Sequence, residues 1–308
     1  MLVVPQFYTQ RLILKAISIQ DSEAYTRHFV DYEVIRHLSA AVPWPYPEAG
    51  VLEYLEKDVL PNQGNGRWDW GIFLKSNPDE LIGSIGLWHP GVPENRGFWL
   101  GQKFWGQGLM TEAVEPVSRY AFFDLGFRNL MFANALGNLA SRKVKEKSGA
   151  RVLEIIPGAF VDKKYTKKEV WELSKAEFLK HHGEDGICRR YAESDSTVRH
   201  VWNISRIWKL AESLKTIEIP IEEIVGLDSV TWFSPDGDKP TIRNIAAHAK
   251  RIMEADTSYP PILTEDNRVF DGMHRIARHL MQGQDKIKVK KFEKNPEPDM
   301  IEYLRALS

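Results

Sequence analysis

The pattern of hydrophobic and polar residues divides the chain into short regular elements. RLILKAI, at residues 11–17, alternates apolar and polar side chains, which predicts a strand. Apolar residues spaced three and four apart, as in residues 18–38, predict amphipathic helices instead. Up to residue 178 these patterns predict strands at 11–17, 67–75, 81–90, 95–105, 129–137, 151–161 and 165–178, and helices at 18–38, 48–60, 109–127 and 138–150.

A polar stretch without periodicity follows at residues 181–198. Beyond it the patterns predict helices at 204–215, at 241–255 and from 271 onward, with strands at 217–221, 260–264 and 287–293. We therefore expect two domains, 1–182 and 199–308, joined by a linker at 183–198. The length of 308 residues also suits two domains better than one.

Composition narrows the class of protein only a little. Hydrophobic residues make up 43% and charged residues 27%, and the formal net charge is −1, so no basic excess points to nucleic acid as a partner. The one cysteine, Cys188, excludes a disulfide framework within the chain. The first residues do not resemble a signal peptide, and no apolar run approaches the ~18 residues of a membrane span. These features predict a cytoplasmic protein without a membrane segment.

Residues 104–113, FWGQGLMTEA, place two glycines between a predicted strand and a predicted helix. The first N–H groups of a helix have no partner within it, the helix dipole adds positive charge there, and glycine lets an anion come close. Gly106 and Gly108 therefore predict that the N–H groups from Trp105 to Met110 hold a pyrophosphate. Two glycines alone also fit a tight turn, so this motif does not decide the matter by itself.

A longer stretch, GFWLGQKFWGQGLMTEA at residues 97–113, resembles the acetyl-CoA loop of the GNAT N-acetyltransferases. The family signature Q/R-x-x-G-x-G/A falls on residues 103–108, with Lys103 in place of Gln or Arg. NLASRKVKEKSGA, at residues 138–150, is similar to a second motif of the branch that includes ribosomal-protein-alanine acetyltransferases. The resemblance covers about residues 7–178, with the motifs in the family's order.

This resemblance implies a fold and a reaction. The implied fold class is α+β / α/β, a GNAT fold with a mixed, splayed central sheet whose gap takes the pantetheine arm of acetyl-CoA. The implied reaction is direct transfer of acetyl from acetyl-CoA to a primary amine, on a protein N-terminus or a small molecule. A homodimer is left open. The cofactor-binding residues carried over are Leu100, Lys103, Trp105, Gly106, Gln107, Gly108, Leu109, Met110, Asn138 and Ser141, of which Asn138 also fits a helix N-cap.

The motifs do not fix the acid and the base of the reaction. The tyrosine that many GNAT members use as proton donor has its place near Val144, and no tyrosine lies between residues 138 and 150. Ser141 and Glu94 are the catalytic candidates. Many relatives have a glutamate at the place of Asn95, so Glu94 points to the other face of the strand unless a bulge intervenes. A domain that binds the cofactor without turnover is the alternative.

Other side chains are candidates on the acceptor side. His89 is a second candidate base, and Glu112 is either a base or a first-turn acid that interacts with the helix dipole. An aromatic acceptor cleft, with Asp69 attracting an ammonium group, is predicted from Trp44, Tyr46, Trp68 and Trp70. Ordinary packing is the alternative explanation for these aromatic residues.

Residues 262–292 resemble the ParB/sulfiredoxin-like fold, whose signature D/G-G-x-H-R opens a helix. The matching residues are Asp271, Gly272, His274 and Arg275. The resemblance implies a smaller α+β domain at about residues 199–308 that binds the phosphates of ATP, ADP or CTP, with Mg. Gly272 would allow close approach and Arg275 would clamp a phosphate. Alternatively, Asp271 caps the helix while His274 and Arg275 make structural pairs.

The residues narrow the activities known for that fold. Met273 takes the place of the catalytic cysteine of sulfiredoxins, which excludes their chemistry. Residues 199–308 hold 17 Lys and Arg against 17 Asp and Glu, and this balance disfavours DNA binding. A kinase would need a carboxylate base such as Glu222 or Glu223. The leading hypothesis is an N-acetyltransferase with a fused nucleotide- or phosphate-binding domain and no metal site of its own. A cofactor-sensing protein without turnover and a small-metabolite kinase are the alternatives.

Overall fold

A computed structural model describes residues 4–88, 94–182, 188–192, 198–230, 232–233 and 239–303. Its strands are β1 (Gln6–Tyr8), β2 (Leu12–Ala16), β3 (Arg67–Leu74), β4 (Asn77–Trp88), β5 (Arg96–Leu100), β6 (Asn129–Ala135), β7 (Arg151–Pro157), β8 (Lys167–Ser174), β9 (Cys188–Ala192), β10 (Val198–Asn203), β11 (Thr216–Pro220), β12 (Ile262–Leu263), β13 (Val269–Asp271), β14 (Lys286–Lys291) and β15 (Met300–Tyr303). Its α-helices are α1 (Ser22–Phe29), α2 (Tyr32–Ile35), α3 (Gly50–Tyr54), α4 (Leu109–Phe123), α5 (Leu139–Lys147), α6 (Lys175–His182), α7 (Ile204–Ala211), α8 (Ile242–Glu254) and α9 (Met273–Met281).

The described residues form two compact units. The first unit takes residues from 1–186, 190–201 and 298–308, and the second takes residues from 187–189 and 202–297. This division differs from the predicted boundaries at 182 and 199. The physical reason is strand pairing, because β9 lies in the predicted linker and β10 and β15 join the main sheet of the first unit. Along the chain, the second unit is therefore inserted between strands of the first.

The main sheet of the first unit has the strand order β5-β4-β3-β2-β1-β15-β10-β9 among the described residues. Strand β2 shows the expected alternation, since Leu12 and Leu14 are fully buried and Ile13 between them is not. Strand β15 runs antiparallel to β1, with Phe7 opposite Met300. On its other edge β15 pairs antiparallel with β10, where Val201 also lies opposite Met300. A strand near the end of the chain thus lies beside one near its beginning.

A smaller antiparallel sheet of the first unit has the order β6-β8-β7. Helix α4 contacts β2 and β4 of the main sheet, and its buried side chains contribute to the core. The centre of that core is aromatic: Trp70 lies 5.5 Å from Phe7 and 5.9 Å from Tyr120, measured between ring centroids. The predicted helix at 18–38 is split into α1 and α2, because Asp31 caps the second helix by accepting from the Glu33 N–H at 2.9 Å.

The second unit has a sheet of order β11-β14-β12-β13. Strands β11 and β14 are antiparallel and β12 runs parallel to β14. Their inward side chains, together with Ile276 of α9, form a small aliphatic core. The predicted elements at 204–293 thus correspond to α7, β11, α8, β12, α9 and β14. In neither unit does a described helix combine the length and apolarity needed to cross a membrane.

Candidate active site

The turn between β5 and α4 is built on the two predicted glycines. Gly106 has φ +74° and Gly108, which is the N-cap of α4, has φ +76°. Side chains with a Cβ rarely adopt this left-handed conformation, so glycine is the residue that fits both positions. The Trp105 indole N–H donates to the Leu100 carbonyl at 2.6 Å, which fixes the turn against the end of β5.

The turn presents a row of backbone donors. In the described part of the chain, the N–H groups from Gly106 to Thr111 donate to no protein acceptor. The prediction that the row begins at Trp105 is wrong, because the Trp105 N–H donates to the Gln102 carbonyl at 3.1 Å. The first four N–H groups of an α-helix have no acceptor within the helix, and the helix dipole makes this end favourable for an anion. The turn therefore offers consecutive amides to a phosphate group.

Glu112 anchors this turn to the first strands. Its carboxylate accepts from the Thr9 hydroxyl at 2.5 Å, from the Arg11 N–H at 2.7 Å and from Arg11 Nε at 2.7 Å. Arg11 Nη1 also donates to the Gln107 carbonyl at 2.9 Å. Burial works to raise the pKa of Glu112, but these hydrogen bonds outweigh it and lower the pKa below its usual value. Glu112 is therefore held by structural hydrogen bonds and is not positioned as a catalytic base.

Strands β5 and β6 meet at one end and then separate. Asn95 N donates to the Met131 carbonyl, and Met131 N donates to Asn95 Oδ1, both at 2.8 Å. Beyond this clamp β5 pairs with β4 and β6 pairs with β8, so the two strands belong to different sheets. Gly101 N donates to the Ile82 carbonyl on β4. Along an antiparallel strand, successive residues direct their backbone N–H and C=O groups alternately toward the neighbouring strand and away from it. Gly101 faces β4, so Phe98, three residues earlier, faces away from β4 and toward the gap.

Two clefts meet at this gap. One has a volume of about 580 Å³ and extends from the gap to the glycine turn and α5. The other has a volume of about 860 Å³ and lies toward β7 and β8. Six residues line both clefts: His37, Leu38, Phe98, Ala133, Asn134 and Ser141. A ligand in each cleft would therefore face the other at Phe98 and Ser141.

Most of the predicted cofactor residues line the smaller cleft. They are Leu100, Trp105, Gly106, Gly108, Leu109, Met110, Asn138 and Ser141. Lys103 and Gln107 do not line it: Lys103 Nζ lies 3.4 Å from Glu80 Oε1, and Gln107 Nε2 donates to the Lys103 carbonyl. Asn138 is the N-cap of α5, and its Oδ1 accepts from the Ser141 N–H at 3.1 Å.

Glu94 lines the larger cleft, where its carboxylate lies 2.6 Å from Lys168 Nζ. The neighbouring Asn95 is turned inward and is 3% exposed, because both its backbone N–H and its side chain bind Met131. The hydrogen bonds between Asn95 and Met131 thus leave Glu94 at the cleft. Glu94 reaches it although it lies one residue before the position at which many relatives have a glutamate. The other candidate base, His89, lies outside the described residues.

Sequence reasoning missed two buried cations beside the gap. Lys145, on α5, is 1% exposed and donates to Ser141, Asn134 and the Ala133 carbonyl. Burial lowers the pKa of Lys145 well below its usual range. Arg96, on β5, donates to the Ser118 hydroxyl at 3.0 Å, and burial lowers its pKa to about 9. For Lys145 the sequence did offer a signal. It lies four positions after Ser141, and residues at this spacing share one face of a helix.

The predicted aromatic acceptor cleft is wrong. Trp68 and Trp70 are buried in the core, and Asp69 is paired with Arg67. Trp44 is 42% exposed and packs near Tyr32. In the described part of the first unit, the walls of the two clefts do not include Trp44, Tyr46, Trp68, Asp69 or Trp70. Strand β3 is covered on both faces, so its alternate aromatic residues serve packing.

In the second unit the four predicted phosphate-binding residues lie together, where β13 leads into α9. Gly272, with φ +103°, is the N-cap of α9, and Arg275 Nη2 lies 2.7 Å from Asp271 Oδ2. His274 Nε2 lies 2.9 Å from His248 Nδ1, and both rings stack on Trp232. Glu222 lines a different cleft of this unit, which residues 271–275 do not line. The described residues contain no cluster of His, Cys, Asp and Glu that could hold a metal ion.

Comparison with known proteins gives a match over the first unit. Residues 11–151 match the family model described as acetyltransferase (GNAT) domain. The uncharacterized N-acetyltransferase p20 of Bacillus licheniformis is 27% identical over 127 residues, which are 40% of this chain and 69% of that protein. The uncharacterized N-acetyltransferase YoaA of Bacillus subtilis is 28% identical over 149 residues, 47% of this chain and 82% of that protein. A GNAT-family acetyltransferase structure from Bacillus anthracis is 18% identical, covers 56% of this chain and 99% of its own, and has a TM-score of 0.46.

The family match covers the glycine turn, the splayed strands and the lining of the smaller cleft, whereas residues 157–160 and Lys168 of the larger cleft lie beyond it. Residues 11–151 are therefore a GNAT acetyltransferase domain, and the protein that carries it is an acetyltransferase.

Proposed function

We propose that the first unit binds acetyl-CoA in the 580 Å³ cleft and transfers its acetyl group to a primary amine that enters through the 860 Å³ cleft. The observation that carries this proposal is the junction of the two clefts at Phe98, Asn134 and Ser141. The diphosphate would lie on the amides of residues 106–111, and the pantetheine arm would follow the gap between β5 and β6. The acceptor is a small molecule or a peptide N-terminus.

Each step of acyl transfer has a protein group nearby. Acetyl-CoA, when bound, supplies an acetyl group activated as a thioester. The Phe98 N–H faces the gap and can stabilise negative charge on the acyl oxygen. Glu94 can accept the proton of the attacking amine, directly or through water, because it lines the acceptor cleft. Ser141 would protonate the leaving sulfur, and its place in the lining of both clefts supports this role.

A cofactor-sensing protein without turnover would share the binding site but not the reaction. Calorimetry with acetyl-CoA tests binding, and release of free thiol over a panel of primary amines tests transfer. We expect binding and at least one amine that raises thiol release above the rate with water. Glu94→Gln should reduce thiol release about 100-fold while acetyl-CoA still binds, since general base catalysis contributes about 10²–10⁴-fold. Binding without thiol release for any amine would favour the sensor instead.

We further propose that residues 271–275 of the second unit bind a phosphate group, as in a nucleotide. The favouring observation is a left-handed glycine at the start of α9 with Arg275 in its first turn. The Cβ of any other residue at position 272 would lie 2.9 Å from Pro261 Cα, so glycine alone fits this backbone. A phosphate would have to displace the Asp271 carboxylate from Arg275.

Titration with inorganic phosphate, ATP and CTP, each with Mg²⁺, tests the second site. Arg275→Ala should weaken binding about 10- to 100-fold, because a charge-assisted hydrogen bond contributes about 1.5–3 kcal/mol. Arg251→Ala, an exposed position on α8, removes the same charge and should leave the affinity unchanged. If the wild-type protein binds none of the three, the proposal for this unit fails. Hydrolysis of bound ATP that is lost in Arg275→Ala would favour the kinase alternative.

A further inference from the structure

Lys145 holds an unusual place for a lysine. It lies on α5 between the two sheets of the first unit and is 1% exposed. Its three polar contacts are the Ser141 hydroxyl at 2.7 Å, Asn134 Oδ1 at 2.9 Å and the Ala133 carbonyl at 3.1 Å. An ammonium group has three N–H donors, so these neutral acceptors satisfy it completely. Within the described residues no carboxylate forms a salt bridge with it.

A buried lysine lowers the stability of the fold, so its presence suggests a role that an apolar side chain could not fill. Burial of a charge without an opposite charge is unfavourable, and an aliphatic residue would fill the same space without that cost. The aromatic rings of Phe98 and Phe132, 5.6 and 5.8 Å from Nζ, offset part of it. All three partners line both clefts, and Lys145 itself lines the larger one; of these partners, Ser141 is the one whose side chain carries a proton that it can give to a leaving group.

The lysine determines what the Ser141 hydroxyl can do. A serine hydroxyl has one proton to donate and two lone pairs to accept with. One lone pair is engaged by Lys145 Nζ, and the backbone N–H of Ser141 is engaged by Asn138. The hydroxyl proton therefore points away from Lys145. Ser141 lines both clefts at their junction, so the open direction for that proton is the site of transfer.

We propose that Lys145 is a positioning residue that aims the Ser141 hydroxyl proton at the departing sulfur of the acyl donor and replaces that proton after it has been given. The inference rests on the function proposed above. As the C–N bond to the amine forms and the C–S bond breaks, the bonding pair leaves with sulfur. The amine gives its proton to Glu94, Ser141 Oγ gives its proton to the sulfur, and Lys145 Nζ gives one to Oγ. Lys145 then regains a proton from the solvent of the larger cleft, to which Glu94 releases the one taken from the amine, so that no net proton is consumed in forming the thiol and the amide.

The charged neighbours of Lys145 suit this exchange. The largest effect on its pKa is burial, which lowers it, and Arg96 on β5 lowers it further. Glu169 on β8 and Glu94 before β5 act in the opposite direction. Those two carboxylates are already paired, Glu169 with Arg142 and Glu94 with Lys168. A lysine whose pKa is lowered toward neutrality gives up its proton more readily than an exposed one.

The ionisation of the thiol of bound coenzyme A tests this proposal without turnover. The ultraviolet absorbance of the thiolate is followed against pH in the wild-type complex and in Lys145→Met, Ser141→Ala and the double variant. We expect the thiol pKa of the complex to rise by about one unit or more in each single variant, because an oriented donor stabilises the thiolate. The double variant should shift no further than Ser141→Ala, since the lysine acts through the serine.

Kinetics give a second measurement. We expect kcat to fall about 10- to 100-fold in Lys145→Met while KM for acetyl-CoA stays within about twofold. Lys57→Met removes the charge of an exposed lysine paired with Glu53 and should change neither quantity. An unaltered thiol titration in Lys145→Met that still binds coenzyme A would overturn the proposal. If that variant does not fold, an unaltered titration in Ser141→Ala overturns it equally. Failure of the wild type to bind coenzyme A would be a failure of the proposed function itself.

Discussion

Gly108→Trp is expected to weaken binding of coenzyme A by about 100-fold or more. The indole would project at the start of α4, where six consecutive N–H groups donate to no acceptor among the residues that the structure describes. Losing two charge-assisted hydrogen bonds to a phosphate costs about 3 kcal/mol or more, which corresponds to at least two orders of magnitude in affinity. Isothermal titration calorimetry of the full chain with coenzyme A measures this loss directly.

Gly126→Trp is the matched control for this variant. Gly126 has φ +72°, close to the +76° of Gly108, and a Cβ there would meet nothing within 4 Å. Both variants therefore carry a similar backbone strain, but only one of them covers the proposed phosphate site. We expect Gly126→Trp to bind coenzyme A with wild-type affinity. Wild-type affinity in Gly108→Trp would instead show that the glycine turn is not where the diphosphate lies.

Trp70→Ala is expected to lower the free energy of unfolding of the first unit by about 3–5 kcal/mol. Trp70 is fully buried at the centre of the aromatic core, against Phe7 and Tyr120. Its indole N–H also donates to the Pro5 carbonyl at 2.6 Å, which leaves a buried acceptor unpaired when the ring is removed. Urea denaturation followed by circular dichroism measures the change.

Two variants separate the parts of this effect. Trp70→Phe keeps most of the buried area but loses the hydrogen bond to Pro5, and we expect a cost of about 1–2 kcal/mol. Trp44→Ala removes a 42% exposed ring and should cost less than about 1 kcal/mol. Equal losses in Trp70→Ala and Trp44→Ala would contradict the assignment of Trp70 to the core.

Local features of the fold followed from local sequence. Gly106 and Gly108 predicted a turn into a helix because only glycine tolerates that backbone, and Asn138 predicted a helix start because its side chain caps one. The pairing of β1 with β15 was out of reach for the same kind of reasoning. It joins residues almost a full chain length apart, and the four residues of β15 are too few to show an alternation.

The candidate site was predictable to a similar degree. Its backbone part is encoded in the glycine motif, whereas its side-chain part depends on which residues the sheets bury. Lys145 was missed because lysine is among the residues most often exposed, so a sequence gives no reason to bury it. Trp68 and Trp70 were misassigned for the opposite reason. An aromatic residue on a strand fits a cleft wall and a core equally well until the covering elements are known.

Strand β15 has a consequence for any attempt to divide the chain. A fragment that stops near residue 182 would keep β1 but would lose the neighbour that pairs with it. The row of unsatisfied donors and acceptors left on β1 would be open to a strand from another molecule, which is a common route to aggregation. The acetyltransferase part of this protein is therefore best studied with strand β15 present. This requires either the full chain or a variant in which the second unit is removed and the segments on its two sides are joined.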